Sequence, residues 1–182
     1  MTDQFPGDPP SPFIISAASA ELDHAPSNRR ALDVAMGRGR HALPLAELGW
    51  RVFGVDANLD ALRDARTRAA TRGLVIRAWC ADLTRAPLPQ ASFELVVVTR
   101  YLQRDLFGPI RHAVVAGGLI VYETFTVHQR ALGSGPKSSE HLLEPGELRA
   151  QFDGFEILSY EEVTAPEAVA RVVARKQLRT EN

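Results

Sequence analysis

The strongest constraint on the fold of this 182-residue chain is a regular alternation of strand-like runs with segments of helical periodicity. The strand-like runs occupy 30–35, 51–55, 75–80, 93–98 and 119–124. The helical segments between them occupy 40–48, 59–72 and 106–115. This alternation is typical of β–α–β units, in which each helix crosses between parallel strands. The sequence therefore predicts an α/β fold around a mostly parallel sheet.

The last third of the chain has a different pattern. A loop at 125–142 precedes a short helical segment at 145–152, and two strand-like runs follow at 155–163 and 169–176. Only a short turn separates these two runs, so they predict an antiparallel pair at the edge of the sheet. Together, the runs predict a single domain at 29–178 with a doubly wound, seven-stranded sheet.

The first 28 residues are rich in Pro, Ser and Asp. We expect the first ten or so to form a disordered tail. The segment 11–22 predicts a short helix, because Pro12 suits a first helical turn. The apolar residues at 13–15 have no obvious core to join, and we expect them to form a flap over the domain.

Composition narrows the class of protein. The net charge of −1 supplies no field that would attract a polyanion, so nucleic acid is not favoured as a partner. The single Cys80 excludes an internal disulfide, and we expect it to be a buried thiol. Membrane-spanning runs and the features of a signal peptide are both lacking, which favours a cytoplasmic location. The oligomeric state is not indicated.

Two glycines, Gly37 and Gly39, lie in the turn between the first strand and the first helix. Glycine permits backbone angles that other residues avoid and lets a ligand approach the main chain. The following helix offers free N–H groups, which suits a nucleotide-like ligand. The spacing to Ala42 also fits the fingerprint of dinucleotide-binding proteins, so the turn alone leaves the ligand open.

Three acids near strand ends favour one ligand over the other. Asp56 closes the second strand, where a carboxylate can accept hydrogen bonds from ribose hydroxyls. Asp82 follows the third strand, where it could accept from an adenine amino group. Asp33, inside the first strand, would repel the phosphates of a dinucleotide and attract an ammonium group. S-adenosylmethionine contains an ammonium group, a ribose and an adenine, so the three acids match its three parts.

These residues lie in segments by which the chain resembles the class I S-adenosylmethionine-dependent methyltransferases, over 31–176. The matching segments are 33–39 (DVAMGRG), 52–56 (VFGVD), 81–83 (ADL), 91–96 (ASFELV) and 115–119 (VAGGL). The resemblance implies a Rossmann-like fold, S-adenosyl-L-methionine as cofactor and methyl transfer as activity. The cofactor-binding residues that it implies are Asp33, Ala35, Gly37, Gly39, Arg40, Asp56, Ala57, Asp82, Leu83 and Thr99.

Two further segments, 39–41 (GRH) and 143–148 (LEPGEL), look most like a bacterial group related to tellurite-resistance methyltransferases. This closer resemblance implies a small-molecule acceptor. One position departs from the family pattern, because Ala35 stands where the family often has its first glycine.

Methyl transfer from a sulfonium is an in-line displacement, so the acceptor must be held against the methyl group in a dry pocket. That pocket should lie outside the carboxyl ends of the strands. Glu123 is the best candidate for a general base or for orienting the acceptor, with Tyr101 and His128 as further catalytic candidates. We expect the loop 125–142 to close over the pocket. The pattern favours no metal site.

Two other functions remain open from the sequence. A module that binds S-adenosylmethionine without catalysis would carry the same cofactor residues. A nicotinamide-binding oxidoreductase is less favoured, because Asp33 and Asp82 do not suit its cofactor and the chain is too short for a separate substrate domain.

Overall fold

Seven strands form one sheet in the computed structural model, which describes residues 9–24 and 28–178. The strands are β1 (Arg30–Val34), β2 (Arg51–Asp56), β3 (Ile76–Cys80), β4 (Phe93–Thr99), β5 (Val114–Phe125), β6 (Phe155–Val163) and β7 (Val169–Lys176). The α-helices are α1 (Pro12–Glu21), α2 (Ala42–Glu47), α3 (Leu59–Ala70), α4 (Phe107–Ala113) and α5 (Glu147–Ala150). Short 3₁₀ helices lie at Arg104–Leu106, Val127–Ala131 and Ser139–His141. Most of the predicted N-terminal tail, residues 1–8, lies outside the described residues.

The strands are ordered β3-β2-β1-β4-β5-β7-β6 across the sheet. The first five strands of the chain pair in parallel, and β7 pairs antiparallel with both β5 and β6. The predicted doubly wound α/β sheet with an antiparallel C-terminal edge pair is confirmed. The chain moves outward from β1 to β3 and then returns to β4, so the strand order reverses between β1 and β4. Ligands of such sheets bind beside this reversal, at the carboxyl ends of the strands.

Apolar layers cover both faces of the sheet. Helices α1, α2 and α3 pack on one face, where Ile14, Leu45 and Ala65 belong to one buried cluster. Helices α4 and α5 pack on the other face, where Ile110 and Leu148 belong to a second cluster. The central strand β4 lies between these layers, which explains why it is an unbroken, fully buried run as far as residue 98.

Helix α1 is part of the first apolar layer. Ile14 and Ala18 are fully buried, and the indole Nε1 of Trp50 donates to the main-chain oxygen of Ala18 at 3.2 Å. The carboxylate of Glu21 accepts from the guanidinium of Arg175 on β7 at 2.7 and 2.9 Å. The N-terminal apolar segment therefore joins the core of the domain, whereas the sequence analysis expected a flap with no core to join.

Strand β5 begins earlier than the predicted 119–124, because a glycine pair lets it bend. A Cβ at Gly118 would lie 2.9 Å from the main-chain oxygen of Glu94 in β4. Gly117 has a φ of 78°, in the left-handed region. The register between β4 and β5 shifts at this place, so the two glycines allow a bulge that periodicity in the sequence does not reveal.

The loop after β5 is anchored from inside by Gln129, whose side chain is fully buried. Its Nε2 donates to the oxygen of Ser134 at 2.9 Å, and its Oε1 accepts from the main-chain N–H of Ala168 at 2.7 Å. Arg104 holds the far end of the loop through the oxygen of Leu142 at 3.0 Å. The loop is thus tied to the domain at two points.

Cys80 was expected to be buried, and this expectation is wrong. It closes β3, which is an edge strand, and its side chain is exposed. The thiol donates to the main-chain oxygen of Ala57 at 3.4 Å. Among the described residues, no helix is long and apolar enough to span a membrane.

The burial of α1 predicts that it contributes directly to stability. Replacing fully buried Ile14 by Ala should lower the free energy of unfolding by about 2–4 kcal/mol, because the substitution leaves a cavity in the core. The matched control is Leu59→Ala on α3, where the side chain is 46% exposed and a loss below about 1 kcal/mol is expected. Urea unfolding measures both values. Equal, small losses would show that α1 is only loosely attached.

Candidate active site

The carboxyl ends of the parallel strands bring several predicted residues to one edge of the sheet. In the strand register, Asp33 of β1 lies between Gly54 of β2 and Val97 of β4. Thr99, two residues further along β4, lies beside Glu123 of β5. Alternate residues of a strand share a face, so Asp33, Thr99 and Glu123 lie on the face that α1 and α2 cover.

The turn after β1 contains three residues with left-handed backbone. Their φ angles are 55° at Ala35, 53° at Gly37 and 80° at Gly39. A Cβ at Gly37 would meet no atom within 4 Å, whereas one at Gly39 would lie 3.2 Å from the Cβ of Ala65 in α3. The turn therefore presents bare main chain at Gly37 and packs closely against the helix at Gly39.

Two residues that are not glycine also adopt this strained backbone beside the site. Left-handed backbone costs an L-residue with a side chain roughly 1–2 kcal/mol. Ala35 bears this cost at the position where the family often has glycine, and Arg100, directly after β4, has a φ of 50°. Strain of this kind clusters at functional sites, and here it lies on both sides of the strand-order reversal.

Asp33 is a buried carboxylate that is only partly satisfied. It is 1% exposed, and its Oδ2 has no hydrogen-bond partner among the described residues. Burial raises its pKa from the ordinary 3.8 to about 7, opposed by the charge of Arg40 and the N–H of Ala42 and reinforced by the charge of Asp56. A cationic group at Oδ2 would meet both the missing hydrogen bond and the uncompensated charge.

Asp56 closes β2 and holds the main chain of two turns. Its Oδ2 accepts from the N–H of Gly37 at 2.8 Å, and its Oδ1 accepts from the N–H of Asn58 at 2.8 Å. Each carboxylate oxygen has a second lone pair, so both can still accept from a pair of ligand hydroxyls. The acid is thereby oriented before any ligand binds.

Asp82 and Tyr101 lie at the same end of the site as Asp56. Thr84 donates to Oδ1 of Asp82 from its N–H at 2.9 Å and its hydroxyl at 2.7 Å, and these bonds lower the pKa of this exposed acid. Burial raises the pKa of the Tyr101 hydroxyl, and the charges of Asp56 and Asp82 raise it further. The ring hydroxyl donates to Oε1 of Gln103 at 2.6 Å. Tyr101 therefore faces the acids of the cofactor end.

Glu123 forms a buried ion pair that the sequence analysis missed. Its Oε2 accepts from Nε of Arg171 at 2.5 Å, and the side chain of Glu123 is 7% exposed. Arg171 also donates to Glu161 at 2.9 Å, and its guanidinium lies 5.6 Å from the ring centroid of Phe13. Glu123 and Arg171 are 48 residues apart and meet only through the antiparallel register of β5 and β7. No local sequence signal marks this pair.

The remaining predicted residues occupy different surroundings. Arg40 is half-buried, and its charge acts on Asp33. Leu83 is buried in the core, and Ala57 is exposed at the end of β2. His128 is exposed on the 3₁₀ helix Val127–Ala131. Arg100 pairs with both carboxylate oxygens of Glu167 at 2.7 and 2.9 Å.

The arrangement as a whole defines a class of protein. A parallel sheet with a strand-order reversal, a glycine turn at that reversal and acids at the neighbouring strand ends is the nucleotide-binding form of the doubly wound fold. The buried acid in β1 would repel the phosphates of a dinucleotide and attract a cationic group.

Comparison with known proteins relates the first part of this sheet to a known family. Residues 31–118 match the family described as a methyltransferase domain. Over 83 residues, the chain is 41% identical to a demethylmenaquinone methyltransferase of Deinococcus radiodurans, a stretch covering 44% of this chain and 34% of that protein. The chain thus spans about a third of the length of this curated relative.

Two solved structures show the same fold. TehB from Haemophilus influenzae superposes with a TM-score of 0.71 at 19% identity, covering 89% of this chain and 62% of that chain. The [4+2]-cyclase SpnF superposes with a TM-score of 0.71 at 17% identity, covering 91% of this chain and 81% of that chain. The match to the methyltransferase domain covers just under half of the chain, and the whole sheet has the fold of solved S-adenosylmethionine-dependent methyltransferases, a family that implies S-adenosylmethionine as cofactor.

The pKa of Asp33 predicts a pH-dependent cost to stability. Because this pKa is raised in the folded protein, the native state binds more protons than the unfolded state between about pH 4 and 7. The contribution of Asp33 to the free energy of unfolding is therefore fully present below about pH 4 and is lost as the pH rises through 7. Asp33→Asn should then stabilise the protein at pH 8 by roughly 1–3 kcal/mol relative to wild type.

Urea unfolding of both proteins at pH 4 and pH 8 measures this difference. Taking the difference between variant and wild type removes the contribution of the other acids. Asp153→Asn, at an exposed position, is the control and should change stability equally at both pH values. A gain from Asp33→Asn that is the same at pH 4 and pH 8 would contradict the expectation.

Proposed function

We propose that this protein transfers the methyl group of S-adenosylmethionine to a small-molecule acceptor by in-line displacement. The observation that carries the proposal is the pairing of a partly unsatisfied buried carboxylate, Asp33, with a pre-oriented one, Asp56, on either side of an open glycine turn. The chemistry supplied by the bound cofactor is an electrophilic methyl group on a sulfonium.

The residues fit the parts of that cofactor. Asp33 would accept from the ammonium group at Oδ2, which supplies the counter-charge that the buried acid lacks. Asp56 would accept from the two ribose hydroxyls, while Ala57, Asp82 and Leu83 would surround the adenine. The bare main chain at Ala35, Gly37 and Gly39, with Arg40 and Thr99 beside it, would hold the methionine part.

The acceptor side of the site is proposed around Glu123 and His128, with Tyr101 toward the cofactor end. The bond from Arg171 occupies Oε2 of Glu123 and orients the carboxylate, which supports a role in positioning the acceptor. Positioning and exclusion of water supply most of the rate in a displacement that needs no proton transfer. Closure of the loop 125–142 would complete the pocket. Its anchors at Gln129 and Leu142 leave 130–141 as the part that would move, with His128 held beside the first anchor.

A small acceptor is supported by the charge of the chain and of the site. The net charge of −1 gives no electrostatic attraction for RNA or DNA. The two arginines next to the acceptor side, Arg100 and Arg171, are both paired with carboxylates. The relative from Deinococcus radiodurans is named for a demethylmenaquinone substrate, which is a quinone and not a nucleic acid.

A second candidate is a module that binds S-adenosylmethionine without transferring its methyl group. This candidate stays open because the fold is shared with a protein described as a [4+2]-cyclase, so the fold alone does not require methyl transfer. The fold therefore serves more than one chemistry. Detection of a methylated product separates the two candidates.

Cofactor binding tests the first step of the proposal. Calorimetric titration should show binding of S-adenosylmethionine and of its demethylated product, and none of nicotinamide dinucleotides. Asp56→Ala should weaken binding by about 1.5–3 kcal/mol, the cost typical of losing hydrogen bonds to a charged group. The control is Asp60→Ala, an exposed acid of α3, which should leave the dissociation constant unchanged. Binding of a dinucleotide alone would refute the cofactor assignment.

Acceptor identity is tested with a cofactor labelled in its methyl group. The purified protein is incubated with small oxyanions, thiols, phenols, quinols and total RNA, and the labelled products are separated. We expect label in a small molecule. Label in RNA alone would overturn the small-acceptor proposal, and label in no product with intact cofactor binding would favour the noncatalytic module.

A further inference from the structure

His41 is a buried histidine to which neither the sequence analysis nor the proposed function gives a chemical role. It directly precedes α2, two residues after Gly39, and is 2% exposed. Its Nε2 accepts from the main-chain N–H of Ser11 at 3.0 Å, and its Nδ1 lies 3.0 Å from Oγ1 of Thr99. The ring thus connects the start of α1, the cofactor turn and the carboxyl end of β4.

The partners of His41 define its tautomer. A main-chain N–H can only donate, so Nε2 facing Ser11 must be without a proton. A neutral imidazole then carries its proton on Nδ1 and donates it to Thr99. Burial, together with the charges of Arg40 and Arg100, lowers the pKa of His41 to about 3, so the neutral ring persists across the physiological range.

This tautomer dictates what the Thr99 hydroxyl can do. Its oxygen already accepts from Nδ1 of His41, and its own hydrogen must be donated elsewhere. Thr99 shares a sheet face with Asp33, which lies beside Val97. In the proposed function the cofactor ammonium lies at Asp33, and the cofactor carboxylate, which is attached to the same carbon atom, would supply an acceptor for the Thr99 hydroxyl.

The other end of the chain of hydrogen bonds holds α1 at the site. Ser11 is the residue before α1, and its N–H is the donor to His41. The other polar anchors of α1 described above lie further along the helix, at Ala18 and at Glu21. The Ser11 bond is thus the polar anchor at the site end of the helix.

We propose that His41 is a positioning residue, which fixes the Thr99 hydroxyl as a hydrogen-bond donor to the cofactor carboxylate and ties the start of α1 to the cofactor turn. The inference rests on the proposed function, because the acceptor of the Thr99 hydrogen is the cofactor. Its two halves use different ring nitrogens, so they can be separated by substitution.

Two variants divide the functions of the ring. The amide of His41→Asn reaches the place of Nδ1 and can donate to Thr99, but leaves Ser11 without an acceptor. The amide of His41→Gln reaches the place of Nε2 and can accept from the N–H of Ser11, but it no longer donates to the hydroxyl of Thr99. Thr99→Val removes the hydroxyl at constant shape, and Thr99→Ser keeps it. The matched control is His112→Gln, at an exposed histidine of α4.

The measurements are the dissociation constant of S-adenosylmethionine and hydrogen exchange of the α1 amides. His41→Gln and Thr99→Val should each weaken cofactor binding about tenfold, and the double variant should be no weaker than either, because His41 acts through Thr99. Thr99→Ser and His112→Gln should bind as wild type. His41→Asn should bind S-adenosylmethionine within about threefold of wild type, but its α1 amides should exchange faster. If His41 had only a structural role, cofactor binding and amide exchange would change together in both variants.

Nitrogen NMR of the wild-type imidazole provides a test that needs no variant. His41 should show a protonated Nδ1 and an unprotonated Nε2 from pH 5 to 8. The opposite tautomer, or equal cofactor affinity in wild type, His41→Gln and Thr99→Val, would overturn the inference. A wild-type protein that binds no S-adenosylmethionine would instead refute the proposed function, and the hydrogen-exchange and NMR results would still decide the link between Ser11 and His41.

Discussion

Strand β1 is hydrogen bonded in parallel on both sides, to β2 and to β4, and packed layers on both faces leave its side chains almost no access to water. Asp33 lies within this strand, so its carboxylate must be accommodated without hydration. The molecule provides one N–H and the distant charge of Arg40, which is not enough to keep the pKa low. A buried carboxylate with too few partners is tolerable when a cationic ligand supplies the missing partner. The pairing of β1 with both neighbours, which buries Asp33, is thereby linked to the chemistry of the site.

Part of the energetic cost of this arrangement lies at the ligand edge of the sheet, while Arg29 and Ala91 also have left-handed backbone just before β1 and β4. Left-handed backbone at Ala35 and Arg100 and the partly unsatisfied carboxylate of Asp33 all lie where the strand order reverses. Large apolar clusters cover both faces of the sheet around it. Strained backbone and a partly unsatisfied charge thus lie at the strand ends, where a ligand would bind, and the packed sheet holds them in place. A site that is pre-organised for binding needs this kind of support.

Most of the fold could be predicted from local sequence patterns. Periodicity located all seven strands, and β6 and β7 have the bounds that the sequence predicts, because alternating runs and a short turn define a hairpin without distant information. The glycine turn and the strand-end acids are equally local. Local patterns could not predict the side-chain contacts between separate elements. Examples are the ion pair of Glu123 with Arg171, the bonds of His41 and the bonds of buried Gln129, which join residues between 5 and 58 positions apart. Cys80 was misjudged because its exposure depends on β3 being an edge strand.

The charges around the proposed acceptor region bear on how an acceptor would be selected. Glu123 is paired with Arg171, and Arg100 is paired with Glu167, so these four groups supply little net field. Aromatic rings lie against the same guanidinium groups, Phe13 at 5.6 Å from Arg171 and Phe125 at 5.7 Å from Arg100. A surface of matched charges and aromatic rings discriminates among ligands by shape and apolar contact more than by charge. The pair of Glu123 with Arg171, which joins β5 to β7, would therefore make the selection of an acceptor depend on its shape and its contact with Phe13, because Phe125 is buried.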